Sequence, residues 1–411
     1  MAHEHAHKPH DDIVYPAAVP FALVHLAALG SFWTGFPAYA VWTAVALYFV
    51  RMWAVTAAYH RYFSHRSYKT SRLVQFLLAF LAQSSAQRGA LWWAAIHRHH
   101  HLHSDTPEDV HSPRHHGFWY SHVGWIFNQT NWKPDYGTIR DLEKFPELRW
   151  LDRFYLVPAV VLAVGCFVFG GLPGLFVGFF LSTVVLFHGT FAINSMAHQV
   201  GDQRYLTGDD SRNHWFLALV TLGEGWHNNH HHYQSSTRQG FKWWEVDITY
   251  YILKAMSWTR VVWDLREPPA AIVRGEKPVG KKVLEKVAAD LAGTFSIEPL
   301  AARVKDMWAE SNNLGELAEQ ARRVREQLLE AWEESTAMDD LTERAQRARH
   351  QAEELLAELS LAHLPTVPEL REKAEEMFQE SPSLDEIVNR AHELLQRAVA
   401  QRVCDLALAG A

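Results

Sequence analysis

Cysteine is almost missing: Cys166, inside an apolar run, and Cys404, near the end, are the only two in 411 residues. That excludes a disulfide framework, a thiolate zinc site and a cysteine-ligated iron–sulfur cluster, so a metal, if one is bound, is held by nitrogen. No basic segment precedes a short apolar core with a small-residue cleavage site, and a cleaved signal peptide is therefore not expected. Charge is also unevenly spread. From Lys281 onward there are 16 Lys and Arg against 26 Asp and Glu, which leaves the rest at +3 of the total −7. The acidic residues collect in the tail, the apolar ones in front, and no nucleic-acid partner is expected.

Residues 1–13, with His3, His5, His7 and His10, read as a disordered leader. Four apolar runs follow, at about 16–36, 38–58, 154–171 and 174–193, each long enough to cross hydrocarbon. They pair into two hairpins, joined near Pro37 and at the Gly-Gly-Leu-Pro-Gly stretch 170–174. This parity brings both termini and everything outside the short turns to one side. That side carries Arg61, Arg66, Lys69, Arg72, Arg88 and Arg98, while the hairpin turns carry no Lys or Arg, so it should be cytoplasmic. Ser71 to Ala95 is apolar but broken by Gln83, Gln87 and Arg88, and reads as one interfacial or re-entrant helix. Tryptophans crowd the segments beside the spans; most suit an aromatic belt at headgroup depth, and a few, such as Trp93 and Trp226, suit the wall of a channel for a chain-like substrate. The expected fold is thus an all-α membrane domain over residues 14–270 with a histidine-rich helical cap. A linker, 271–280, leads to an acidic helical bundle or coiled coil, 281–411. Leu317, Val324, Leu328 and Trp332, and Leu355 with Leu359, recur there at helical spacing, and Ser383 with Glu386 fits a capping box.

Histidine is what the chain has in excess, and it is patterned. In Gly223–Tyr233 (GEGWHNNHHHY), a helix places His227, His230 and His231 on one face, with Asn228, Asn229 and His232 elsewhere. The same spacing puts His97, His100 and His101 together in IHRHHHL and leaves His99 opposite. HRYFSH sets His60 and His65 five apart, and NSMAH sets Asn194 one helical turn before His198. One structural zinc takes four ligands. Nine histidines on four converging segments instead suggest two metals with open positions. Ligand type alone leaves zinc, copper, nickel and iron open, but a pair of irons can share the electrons of O2 reduction and attack an unactivated C–H bond.

In this order and spacing, around two apolar hairpins, HRYFSH, HRHHH, NSMAH and GEGWHNNHH resemble the integral-membrane acyl-CoA desaturases, the stearoyl-CoA class that makes Δ9 monounsaturated chains. The resemblance runs from about Val14 to Pro269 and includes the flanks HSDTPEDVHSPRHHGFWYSHVGW and GFKWWEVDITYYILK. It implies two iron ions ligated by His60, His65, His97, His100, His101, His198, His227, His230 and His231, with Asn194 reaching the metal through water. It also implies O2 as co-substrate, a fatty acyl-CoA substrate and removal of two hydrogens from adjacent methylenes. Ala94, Ala95 and Ile96 stand where eukaryotic members carry more charge, so headgroup contacts should differ. No cytochrome b5 motif or ferredoxin-like segment is present, which implies a separate electron donor of ferredoxin, rubredoxin or cytochrome b5 type.

Asp105, Asp109, Glu224 and Asp247 are candidates to hold the second nitrogens of the ligand histidines. Arg61, Arg66, Lys69 and Arg98 suit a carrier's phosphates or lipid headgroups. His25, His188, His115, His116 and His122 suit packing and hydrogen bonding. Two alternatives stay open: a membrane diiron hydroxylase acting on an alkyl, sterol or carotenoid substrate, and a metal transporter with histidines along a mid-membrane path.

Overall fold

Uncharged Ala, Val, Leu and Phe from Val19 to Thr34 form helix α1, which stops where Gly35 turns left-handed at φ 73°. Pro37 then opens α2, Ala38–Ala54. A computed structural model describes residues 13–310, 364–378 and 381–409; the expected leader to residue 12 and the Leu317–Leu359 heptad-like positions lie outside them. Three stretches are long and apolar enough to cross a membrane: Tyr15–Thr34, Ala38–Ser64 and Val157–Met196. The count of continuous helices is therefore three rather than the expected four, because the third doubles back within itself. Gly171 leaves helical geometry (φ 60°, ψ −156°) inside α5, Val157–Pro173, and kinks the chain before the helical turns that follow. Gly174 comes so close to Cys166 that a Cβ would lie 2.3 Å from the Cys166 carbonyl oxygen. The second limb continues through a π-helical segment, Gly174–Leu181, into α6, Ser182–Met196.

The outward surfaces of these helices are apolar, as at Leu26 (61% exposed) and Phe169 (92%), a surface suited to lipid rather than water. Inside, Phe21 of α1 stacks on Phe187 of α6. Arg51 of α2 is fully buried and donates to Ser182 Oγ at 2.6 Å and Thr183 Oγ1 at 2.7 Å, tying α2 to α6.

Two departures from simple helices build the cap. First, α2 widens into π-helical turns over Val55–Ser64, carrying HRYFSH out of the apolar layer. Second, the expected single helix over Ser71–Ala95 is two: α3, Arg72–Gln83, capped by the Ser71 hydroxyl, and α4, Ala90–His103. Ala86 (φ 58°) and Arg88 (φ 68°) make the break. At the foot of α4, the Asp152 carboxylate accepts the Leu91 and Trp92 N–H groups at 3.0 Å each, as an acid should at a helix N-terminus. Tyr59, Phe63, Leu78, Leu91, Ala95, Leu148, Leu151 and Leu253 form the core beneath the cap. The GEGWHNNHHHY segment supplies the short α7, His227–His232. Beyond it, Asp247 caps α8, Ile248–Trp258, through the Tyr250 N–H. A two-residue ladder pairs β1, Lys69–Thr70, with β2, Val262–Trp263.

Met1–Gly275 and Glu276–Ala411 separate as two compact units. The second contains α9, Lys281–Gly293; α10, Ile297–Glu310; α11, Val367–Phe378; and α12, Leu384–Ala409. Its apolar contacts include Ala301, Leu364 and Val399. The reciprocal capping box forms at Thr366 and Glu369, whose side chains bond each other's backbone N–H. Ser383, expected in that role, instead accepts from the Val279 N–H at 3.0 Å.

Gly89 tests how tightly α4 is seated, because a Cβ there would lie 1.9 Å from Asp152 Oδ1 and 2.8 Å from its Cα. Gly89→Ala should lower stability by about 1–3 kcal/mol through overpacking. Gly280→Ala, with nothing within 4 Å, should be neutral or better. Thermal unfolding in detergent compares the two.

Candidate metal centres

Four elements deliver imidazoles to one place. The π-helical turn supplies His60 and His65, α4 supplies His97, His100 and His101, the turn after α6 supplies His198, and α7 supplies His227, His230 and His231. A five-residue separation would splay two side chains on an α-helix. Here the His65 N–H bonds the His60 carbonyl at 3.2 Å, an i→i+5 turn, and their rings lie 4.9 Å apart. The nine histidines fall into two groups whose nitrogens lie within 4.8 Å of one another: His60, His65, His97, His101 and His230, and His100, His198, His227 and His231.

The rings meet through Nε2. His60 to His230 is 2.9 Å, His65 to His97 2.9 Å, His101 to His97 3.0 Å and His198 to His227 3.0 Å, all Nε2 to Nε2. Several Nδ1 atoms turn outward to acids. His100 Nδ1 meets Asp109 at 3.0 Å, His198 Nδ1 meets Asp105 at 2.8 Å and His231 Nδ1 meets Asp209 at 2.7 Å; His60 Nδ1 meets Glu224. A carboxylate on Nδ1 places the proton there and leaves the inward Nε2 as a bare lone pair. His231 Nε2 is buried and has no hydrogen-bond partner within the protein. Convergent lone pairs with so few donors between them suit a cation, and imidazole nitrogen suits first-row transition metals.

Electrostatics agree. Burial, reinforced by neighbouring imidazoles, holds His65, His97, His101, His227 and His230 well below the ordinary histidine pKa, and His231 below it. Burial also opposes charge on His198, but Asp105 overrides it and raises the pKa to about 9. The same ion pairing, against burial, depresses Asp105, Asp109, Asp209 and Glu224.

The expectation for the acids holds at Asp105, Asp109 and Glu224. Asp247 instead pairs with Arg61 at 2.9 Å. Asp209 was not anticipated, and nothing in its surrounding sequence, Gly208-Asp209-Asp210-Ser211, has a spacing tied to His231. Gln239, also unanticipated, lies 3.2 Å from His60 Nδ1. His99 faces away to the Glu108 carbonyl, and His232 stacks on Tyr205. His115 and His116 bond the carbonyls of Asp105 and Asp109, and His122 links His188 to Ser195. Asn194 lines a small cavity together with His60, His97, His100 and His227, so it faces both groups.

The basic residues are placed differently from expectation. Arg61 is 1% exposed and spends its donors on Glu224, Asp247 and the Thr237 carbonyl. Arg98 is engaged by Asp141 and the Phe63, Ser64 and Thr138 carbonyls. Neither has a free face for a phosphate. Arg66 and Lys69 are nearer the surface and ion-paired to Asp141 and Asp264. Trp93 stacks on His97 with centroids 4.9 Å apart and lines the cavities, whereas Trp226 is buried, bonds the Val246 carbonyl and lines neither.

A second, apolar cavity of about 250 Å³ adjoins the histidines. Its walls include Phe21, Trp93, Phe187, Phe191 and Ile96, with His97 and Asn194 at the metal-group end. Helices apolar enough to cross a membrane, two histidine groups that could hold metal and an apolar slot beside them define a membrane protein equipped to bind metal next to a hydrophobic chain. The comparisons agree: residues 35–258 match the fatty acid desaturase family, and the chain belongs to that family. An acyl-CoA 5-desaturase of Anemone leveillei is 36% identical over 233 residues, 56% of this chain and 72% of the relative. An sn-1 stearoyl-lipid 9-desaturase of Synechocystis is 35% identical over 255 residues, 61% of this chain and 79% of the relative. An icosanoyl-CoA 5-desaturase of Limnanthes douglasii is 33% identical over 259 residues, 62% and 72% of the two chains.

Two outcomes follow. Asp209→Ala removes the group that orients His231 and should weaken metal at that group about 10- to 100-fold, seen as a drop in metal content per chain by plasma mass spectrometry; unchanged content would remove Asp209 from the centre. In metal-depleted protein, six histidines are kept neutral by the fold, while the unfolded chain protonates them near pH 6.5. Their contribution is present above that value and lost as pH falls below it. His198 has the opposite sign, stabilising fully below about 6.5 and fading as pH rises through about 9. Six outweigh one, so the thermal midpoint should fall between pH 7 and pH 5.

Proposed function

We propose that this protein introduces a cis double bond, at Δ9, into a saturated fatty acyl chain, with reduction of O2 to water at an iron pair held by the two histidine groups. The observation that carries this reading is the placement of an apolar cavity against the first histidine group, with His97 and Asn194 in its wall, while Trp93, His97 and Asn194 also line the small cavity that touches both groups. Iron bound there would supply the O2 chemistry needed to take hydrogen from an unactivated methylene, which no side chain can do.

The rest of the work falls to the protein. Trp93, braced by stacking on Tyr59 and His97, fixes one wall against which the chain lies. Phe187 and Phe191 press from the opposite helix and exclude water, so that one pair of methylenes rests at the metal end. Asp105, Asp109, Asp209 and Glu224 hold the Nδ1 atoms of their imidazoles and so aim the rings. Electrons come from a separate donor protein of ferredoxin, rubredoxin or cytochrome b5 type. The basic residues of the cap, absent from the hairpin turns, support a cytoplasmic cap with both termini on that side. Coenzyme A thioesters, implied by the sequence resemblance, and glycerolipid esters both present such chains.

Expression in a host lacking unsaturated-fatty-acid synthesis, with His230→Ala as control, tests the reading. Acyl products two hydrogens lighter, with the double bond mapped to Δ9 and absent in the control, are expected. Products heavier by one oxygen would instead establish a hydroxylase.

A further inference from the structure

Arg88 is a cation at the cavity wall that the metal groups leave unexplained. It lines the same apolar cavity as His97 and Asn194. Its guanidinium lies between two aromatic rings, 5.5 Å from the Trp92 centroid and 5.7 Å from the Tyr155 centroid. Among the described residues the guanidinium forms no ion pair and donates no hydrogen bond. Asp152 feels its charge, but that carboxylate is taken up by the Leu91 and Trp92 N–H groups and, at 3.4 Å, by the Tyr136 hydroxyl. Stacking leaves the edge of the guanidinium, where its N–H donors lie, unclaimed.

The backbone adds a second observation. Arg88 sits at φ 68°, a conformation that glycine adopts freely and an arginine does not. The Tyr59 hydroxyl holds the Arg88 carbonyl in place at 2.7 Å. Strain kept at a cavity wall points to a role for the side chain carried there.

The cavity mouth identifies the partner. Pro20, in the first turn of α1, and Leu156, at the foot of α5, border the cavity and are exposed. Both lie where spans enter the apolar layer, so the opening faces lipid at headgroup depth. A ligand entering there must bring an apolar chain and an anion close to the chain's carboxyl end. In a glycerophospholipid the phosphate is joined to the acyl ester by the short glycerol backbone. In coenzyme A the long pantetheine arm intervenes, which carries the phosphates away from the mouth.

We propose that Arg88 binds the phosphate of a membrane glycerophospholipid whose ester-linked acyl chain fills this cavity, and so fixes which methylenes reach the histidines. The inference rests on the desaturase reading above and names its substrate class. A guanidinium offers phosphate two parallel hydrogen bonds, which is stronger and more directional than contact with a neutral carbonyl.

Equilibrium binding of radiolabelled distearoyl phosphatidylglycerol, stearoyl-CoA and methyl stearate to the detergent-purified full chain tests it. Arg88→Gly relieves the backbone and should fold at least as well as the wild type. Arg88→Gln keeps the bulk without the charge. Both should weaken the phospholipid about 10- to 100-fold while changing the other two ligands less than about twofold, and Arg88→Lys should recover part of the loss. Unchanged phospholipid binding, an equal loss for all three ligands, or a loss confined to stearoyl-CoA would each overturn the proposal. Product analysis of the wild type separates the two levels: no double bond on any carrier sinks the desaturase reading, whereas desaturation that ignores Arg88 sinks only this one.

Discussion

The structure turns on a crowding of nitrogen lone pairs that the protein alone does not neutralise. Nine imidazoles are gathered into two groups with nitrogens within 4.8 Å of one another, and seven of them approach a neighbour to hydrogen-bond distance, Nε2 to Nε2. Four carboxylates take the protons on the outward side. Such an arrangement is costly without a cation, because buried acceptors without donors lose their hydration for nothing. The rest of the cap is arranged to enforce it. Arg61 and Glu224 brace His60 from behind, and Asn228 and Asn229 clamp α7 to the Tyr205 backbone and to Asn213.

Local backbone departures produce the convergence. The π-helical turn at Val55–Ser64 turns a five-residue spacing into a shared face. Asp105 (φ 55°) and Leu222 (φ 60°) hold left-handed conformations beside the groups, and Asp105 from that position reaches His198. The spans contribute the frame, since α6 packs against both α1 and α2.

Helical faces and apolar runs were readable from residue order because both follow fixed periods. His97, His100 and His101 share a face wherever that stretch is helical, and His99 cannot join them. What depends on long-range contacts was not readable. Asp209 approaches His231 only after the chain has folded back by 22 residues, and the pairing of Arg61 with Asp247 spans 186. The same limit explains Arg61 and Arg98. A basic residue beside a membrane run looks like a headgroup contact, yet both are consumed by carboxylates and backbone carbonyls of the protein itself. The break between α3 and α4 was disguised by Arg88, an unusual residue for a left-handed position, where a glycine would have marked the turn.

The most direct test is the Mössbauer spectrum of the full chain purified after growth on iron-57, read together with its iron content. Two irons per chain in nitrogen-rich, magnetically coupled environments are expected. One iron per chain, or two that behave as isolated ions, would contradict the paired centre on which the rest depends.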